Sequence, residues 1–324
     1  MFKFFNRNSF AAYAMLPVVL VLFRLRLFTS DVVISLGDET SAPLWSLFVS
    51  LIEASRMAGA AVAVALSCLA AFEVNRTFNL FRFGEHQSNL GGFFYVVLTG
   101  GFLVSHQLHP VLVFIPLFMV VLCRLFRAAA EHQPTRLCFD AGLFFGIGLL
   151  CWGKALWLMP MLFVSLLMLH VATFRTMAAI LMGLLFPLCV AVLRCLWIER
   201  FEELLQLMWQ NVVTPVAFYK THFLARLHLG ALALLSVLAL LRAMRSLGSL
   251  KIVERNRIRV LVWFMFYTSG LIILPYFSFE MLPFAAIFVS ILAASMLQYW
   301  KNPRWQEGTT LVLIGLTLLT QWFG

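Results

Sequence analysis

The sequence predicts an all-α fold, a polytopic transmembrane helical bundle of about eleven helices with its N-terminus in the cytoplasm. Three observations predict it. Of 324 residues, 62% are hydrophobic and only 12% are charged, with a mean hydropathy of +0.94, whereas a soluble domain carries roughly 25% charged residues. Apolar runs recur from Phe10 to the C-terminus, close to the ~20 residues a helix needs to cross a ~30 Å hydrocarbon core. Basic residues gather on alternate loops, as orientation in a bilayer requires.

In chain order the apolar runs are residues 10 to 28, 43 to 72, 91 to 105, 110 to 126, 137 to 153, 155 to 172, 176 to 197, 228 to 243, 259 to 276, 281 to 299 and 308 to 323. The second is too long for one crossing, so its start, PLWSLFVSLIEASR, is expected along the interface before Met57 turns inward. Lys3 and Arg7 precede the first run as in a signal peptide. No small-x-small cleavage site follows Phe28, so the first segment is expected to remain as a helix. No polar stretch is long enough for a soluble domain, and residues 1–324 read as a single integral membrane domain. The six cysteines lie in or beside apolar runs without CxxC spacing, which argues against a disulfide framework or a zinc site.

With the N-terminus inside, sixteen of the 24 Lys and Arg residues fall on cytoplasmic loops with six of the 14 acidic residues. The other face then carries eight of each sign, so the whole net charge of +10 is cytoplasmic and the C-terminus lies outside. Topology and attraction to anionic lipid, about 1 kcal/mol per basic side chain near the surface, account for that surplus without nucleic acid. The densest cluster, RAMRSLGSLKIVERNRIR from Arg242 to Arg259, is an orientation anchor and a candidate docking surface for a cytosolic or membrane protein partner or for lipid headgroups.

Four pieces project to the external face: Thr29 to Pro43 with Asp31, Asp38 and Glu39; the turn SHQLHP; the tight turn near Lys154; and Ile198 to His228. In the last, Phe201, Leu204, Leu205, Met208 and Trp209 share one helical face, an interfacial amphipathic pattern. Tyr219, Lys220, His222, Arg226 and His228 follow, and Lys220, His222 and Arg226 are candidate phosphate ligands through charge-assisted hydrogen bonds. His106 and His109 have HxxH spacing, but Pro110 predicts a turn leading into a helix. No third ligand stands near, so no metal site is expected, and no particular cofactor is indicated.

Arg24 and Arg26 sit in the last turns of the first helix, where a charge must snorkel, pair or serve function. Pairing with Asp31 and Asp38 is one expectation. Asp140 is expected at the start of the fifth helix, complementing its dipole. Gly142, Gly146, Gly148 and Gly153 give that helix a small-residue face suited to close packing.

The stretch GDETSAPLW, just after the first helix, resembles the first external loop of GT-C glycosyltransferases, which use polyprenyl-phosphate sugars. The resemblance implies Asp38 or Glu39 as catalytic acid/base, with Lys220, His222 and Arg226 holding the donor phosphate. A broader resemblance covers about two thirds of the chain. FEVNRTFNLFRFGEHQSNLGGFFYVVL, LCFDAGLFFGIGLLCWGKALWLMPMLF and RTMAAILMGLLFPLCV resemble an uncharacterised family of multi-pass inner-membrane proteins from Bacteroidota. The matching features are Asn75 and Asn89, the Asp140-Ala141-Gly142 start and the Gly183 to Pro187 spacing.

Some members of that family carry a beta-carotene monooxygenase label. Iron chemistry of that kind needs a convergent histidine set, whereas the seven histidines here divide between both faces. The family's polar loop would set Asn75, Arg76, Glu85, His86 and Asn89 together on the cytoplasmic side. The functional expectation is a cell-envelope biogenesis protein of the inner membrane, a GT-C-like transferase acting on a polyprenyl-phosphate-linked sugar. The alternatives are a non-enzymatic assembly or secretion factor and, last, a transporter, for which no acidic residue falls at the centre of a span.

Overall fold

A computed structural model describes residues 1–25, 42–52, 56–102, 106–131, 134–199, 201–213, 223–248, 250–274, 277, 281–300 and 302–323. Among these residues the regular structure is entirely helical. The chain forms two compact units. The first comprises Met1–Ile34, Ala60–Leu108 and Ala217–Gly324, and the second Ser35–Gly59 and His109–Val216.

In the first unit, α1 (Phe2–Phe5), α2 (Phe10–Phe23), α4 (Arg56–Leu80, from Ala60 on) and α5 (Leu90–Thr99) precede α11 (Phe223–Ser246), α12 (Ile252–Ile273), α13 (Leu282–Gln298) and α14 (Pro303–Phe323). The core is α5 against α13. Every residue of α5 is buried, as are all of α13 except Val289 and Ser295, because both helices are apolar on every side. Around them, α2 and α14 pack on α5, and α11 and α12 pack on α13. The four-residue α1 tucks in through Phe2 and Phe5, and the Phe5 ring stacks on Phe93 at 4.3 Å between centroids.

The second unit holds α3 (Pro43–Ile52), α6 (Pro110–Ala128), α7 (Pro134–Cys151), a 3-10 turn (Gly153–Leu158), α8 (Met159–Met168), α9 (Phe174–Trp197) and α10 (Phe201–Val213). Its central helix is α7, which packs on α6, α9, α3 and the 3-10 turn. Gly142 lies on the Ile180 carbonyl, Gly146 on Leu184 and Pro187, and Gly183 on the Phe139 carbonyl. The contacts advance together along both helices, so α7 and α9 run parallel. Small residues allow that backbone approach, as at membrane helix interfaces generally. Between them the 3-10 turn and α8 return the chain. At 2.0 and 1.5 Å rise per residue these elements extend about 27 Å, the same as α7.

Local chemistry sets the helix ends. His109 accepts from the Val111 amide at 3.2 Å with Pro110 in the first turn of α6, so the expected turn into a helix is present. Thr173 and Thr176 form a reciprocal capping box at the start of α9. At the ends of α4 and α8 the chain turns through Arg82 (φ 53°) and His170 (φ 57°), left-handed positions usually taken by glycine.

Among the described residues five helical segments are long and apolar enough to cross a membrane: Met57–Leu80, Pro110–Ala128, Pro134–Cys151, Phe174–Trp197 and Phe223–Ser246. Two present bare apolar faces. Met182, Leu185, Phe186, Val190 and Leu193 on α9 are each more than half exposed, and Leu234, Val237, Leu241 and Met244 do the same on α11. Such faces belong in lipid.

Residues 43 to 72 fall in two helices, α3 and α4, which part before Met57, where the sequence expects the chain to turn inward. Elsewhere the helices depart from the expected runs. The basic segment after Lys251 is already helical, extending α12 toward its charged end. α10 has Leu204 and Asn211 buried, and Leu205 and Trp209 of the expected interfacial face are 54% and 70% exposed. Asp140 is the seventh residue of α7 rather than its start, beyond reach of the terminal dipole, and pairs with Arg124 at 3.7 Å.

Candidate functional site

Of the expected site residues, Asp38, Glu39, Lys220 and His222 lie outside the described residues, as do Arg26 and Asp31. Arg226 is exposed in the first turn of α11. Among the described residues no group of three or more His, Cys, Asp or Glu is placed to hold a metal ion.

The second unit contains a largely apolar groove of about 540 Å³ between α3, α7, α9 and α10. Leu44 and Leu47 of α3 form one wall, and Leu143, Ile147 and Leu150 of α7 form its floor. Phe186, Pro187 and Val190 of α9 line the other side, and Leu204 and Leu207 of α10 close one end. Pro187 has no amide hydrogen to give the Gly183 carbonyl, so the ladder of α9 is interrupted where the groove begins. Arg194, in the last turn of α9, is the one charged residue among the described residues of the lining. Arg194 is exposed, and its guanidinium makes no hydrogen bond or ion pair among the described residues.

Near this end of the unit, Lys154 in the 3-10 turn is 5% exposed. It shares a cavity of about 10 Å³ with Trp152 and with Asn211 of α10. The Trp157 indole donates to the Val212 carbonyl at 3.2 Å, fastening α10 to the 3-10 turn. The sequence marked Lys154 only as part of a tight turn, and its burial depends on α10, more than 40 residues downstream.

In the first unit the polar loop expected around Asn75, Glu85, His86 and Asn89 forms a hydrogen-bond network. Asn75 Nδ2 donates to Asn89 Oδ1 at 2.9 Å, and Asn89 donates to the Ser9 carbonyl at 3.1 Å. Asn79 pairs both ways with the Ser88 backbone at 2.9 Å. Gln298 Nε2, from the end of α13, reaches Ser88 Oγ at 2.7 Å and Asn6 Oδ1 at 3.1 Å. His86 Nε2 meets the same Asn6 oxygen at 3.0 Å. Arg76 stands apart, paired with Glu73 at 3.2 Å. Glu85, His86 and Arg82 also border a surface hollow of about 240 Å³.

A second buried polar set lies where α2, α5 and α14 end. Arg24, 2% exposed, donates to the Ala63 carbonyl at 3.2 Å, and Gln321 donates to the Phe23 carbonyl. Thr320 gives its hydroxyl proton to the Leu316 carbonyl at 2.7 Å, so its oxygen accepts from His228 Nδ1 at 3.1 Å. That fixes the tautomer and leaves His228 Nε2 a lone-pair nitrogen with no partner among the described residues. His106, fully buried after α5, has its pKa held well below the ordinary range by burial and by the Arg24 charge, with the Thr99 and Gly100 carbonyls acting the other way.

In the candidate docking segment, two arginines are engaged internally. The Arg242 guanidinium lies 5.1 Å from the centroid of the Tyr299 ring, and Arg257 lies 4.7 Å from that of Phe81. Arg245, Lys251 and Arg259 face outward.

No curated protein and no solved structure matches this chain. The model of a family of unknown function, DUF6427, matches residues 41–323, from just before α3 to the end of α14, and the chain belongs to that family.

Proposed function

We propose that this chain is a multi-pass inner-membrane protein of cell-envelope biogenesis, a GT-C-like transferase that draws on a polyprenyl-phosphate-linked sugar at the external face. The observation that supports it is the groove beside Arg194, an apolar recess opening among helices suited to lipid. Asp38 or Glu39 then serves as acid/base toward the acceptor hydroxyl, and Lys220, His222 and Arg226 hold the donor phosphate. The topology is about eleven crossings with the N-terminus inside. Reporter fusions after Arg245 and at Gly324 are expected on opposite sides.

The test is genetic and chemical. Asp38→Asn and Glu39→Gln should each preserve the membrane level of the protein, and at least one should reproduce the envelope-glycan defect of a deletion. Normal glycan in both mutants ends the transferase reading.

A second reading, a non-enzymatic assembly factor, is favoured by the outward Arg245, Lys251 and Arg259. Charge reversal at Arg255 and Arg259 should release co-purifying partners. An unchanged partner set counts against it. Arg257 is left out of that test because its contact with Phe81 makes it structural.

A further inference from the structure

The groove has a directional character. It follows α9 from Phe186 to Arg194, about 12 Å at 1.5 Å per residue. That is close to the depth of one leaflet, half of a ~30 Å hydrocarbon core. The part farthest from Arg194, at Ile147, Phe186 and Pro187, is apolar, and the one charge among the described lining residues stands at the helix end. An extended hydrocarbon chain fits that depth, with its head at the level of the guanidinium.

The charge selects the head. Arg194 has no anionic partner among the described residues, and guanidinium presents a planar fork of donors suited to phosphate oxygens. The one hydroxyl among the described residues of the lining, Ser46 Oγ, already donates its proton to the Pro43 carbonyl at 3.0 Å. A neutral alcohol head would therefore leave the arginine without a counter-charge, and a free phosphate would leave the groove unfilled.

We propose that the groove between α3, α7, α9 and α10 binds one chain of a lipid phosphate, with Arg194 holding its phosphate head. This deepens the transferase reading by assigning a lipid-phosphate contact outside the Lys220 to Arg226 segment, and it rests on that reading only for the sugar.

The experiment uses the full chain in detergent micelles or nanodiscs, with a long-chain isoprenyl monophosphate as probe. Its dephosphorylated alcohol and inorganic phosphate serve as comparators. The monophosphate should bind saturably and roughly ten- to a hundredfold tighter than the alcohol, the range of a charge-assisted hydrogen bond. Inorganic phosphate should fail to compete at equal concentration.

Arg194→Gln, on an exposed side chain, should erase the preference for phosphate, and Arg194→Lys should restore part of it. Ile147→Trp should weaken phosphate and alcohol alike by filling the floor. Equal binding of alcohol and monophosphate, competition by inorganic phosphate, or an Arg194→Gln protein that still prefers phosphate overturns the proposal. Lipid-phosphate binding with silent Asp38 and Glu39 mutants would remove the transferase and leave the groove. Loss of the groove result with an active Asp38 or Glu39 phenotype would do the reverse.

Discussion

The backbone of Gly142 rests directly on the carbonyl oxygen of Ile180, nearer than a Cβ could stand, and Gly183 meets the Phe139 carbonyl in the same way. No flexible side chain can yield there, because each neighbour is backbone. Gly142→Ala and Gly183→Ala are each expected to cost about 1–3 kcal/mol through forced separation of α7 and α9. Gly230→Ala in α11, with no atom within 4 Å of its added Cβ, should be neutral or gain up to about 1 kcal/mol in helix propensity. Thermal unfolding in detergent distinguishes them. Equal melting points for the two classes would mean the seam is not packed this closely.

Gln298 ties the N-terminal segment, the loop after α4 and α13 together through one amide. Gln298→Leu keeps the volume and removes the donors, leaving Ser88 Oγ, the His86 carbonyl and Asn6 to find other partners. About 1–3 kcal/mol per buried group left unsatisfied is expected. Limited proteolysis near Gly84 should accelerate in parallel. A mutant as stable and resistant as the parent would show that the network contributes little.

His106 gives a pH dependence with a definite sign. Its folded pKa lies well below the unfolded value because of burial and the Arg24 charge, so acid protonates the unfolded ring first and favours unfolding. Stability should be level above the ordinary histidine pKa and fall as pH drops below it, by at most about 1.4 kcal/mol per pH unit for one proton. His106→Asn should flatten part of that fall. An identical acid profile for parent and mutant would assign the titration elsewhere.

His170 occupies a left-handed position with its side chain exposed. Val171 and His170 amides close back on the Leu166 and Leu167 carbonyls at 3.0 and 3.1 Å, the double bond of a glycine-type helix end. His170→Gly should stabilise the protein by about 1 kcal/mol, the strain a non-glycine residue carries there. A lower melting point would mean the imidazole has a role that its exposure hides.

The sequence carried much of the helix pattern, because the bilayer imposes a length and a polarity that a hydropathy reading detects. It also carried the Pro110 turn and the small-residue face of α7. It did not carry Gln298, whose hydrogen bonds reach residues more than 200 positions away, or the partner of Asp140, which lies on the preceding helix. Arg194 was not singled out, because it lies inside the apolar run 176 to 197. Its setting comes from α3 and α7, segments distant in sequence whose convergence has no local signature. Asp38, Glu39, Lys220 and His222 were selected by residue type and topological position, features that identify chemistry without geometry.

The parallel course of α7 and α9 bears on how the second unit is made. Antiparallel neighbours can enter a bilayer as a hairpin and zip together as they emerge, but parallel ones cannot. Until the Gly153–Met168 segment has turned back and α9 has followed, Gly142 and Gly146 of α7 lack the backbone they rest on. Closure of that seam therefore waits for α9, and a chain halted before Thr173 would present a glycine face whose partner has not yet been synthesised.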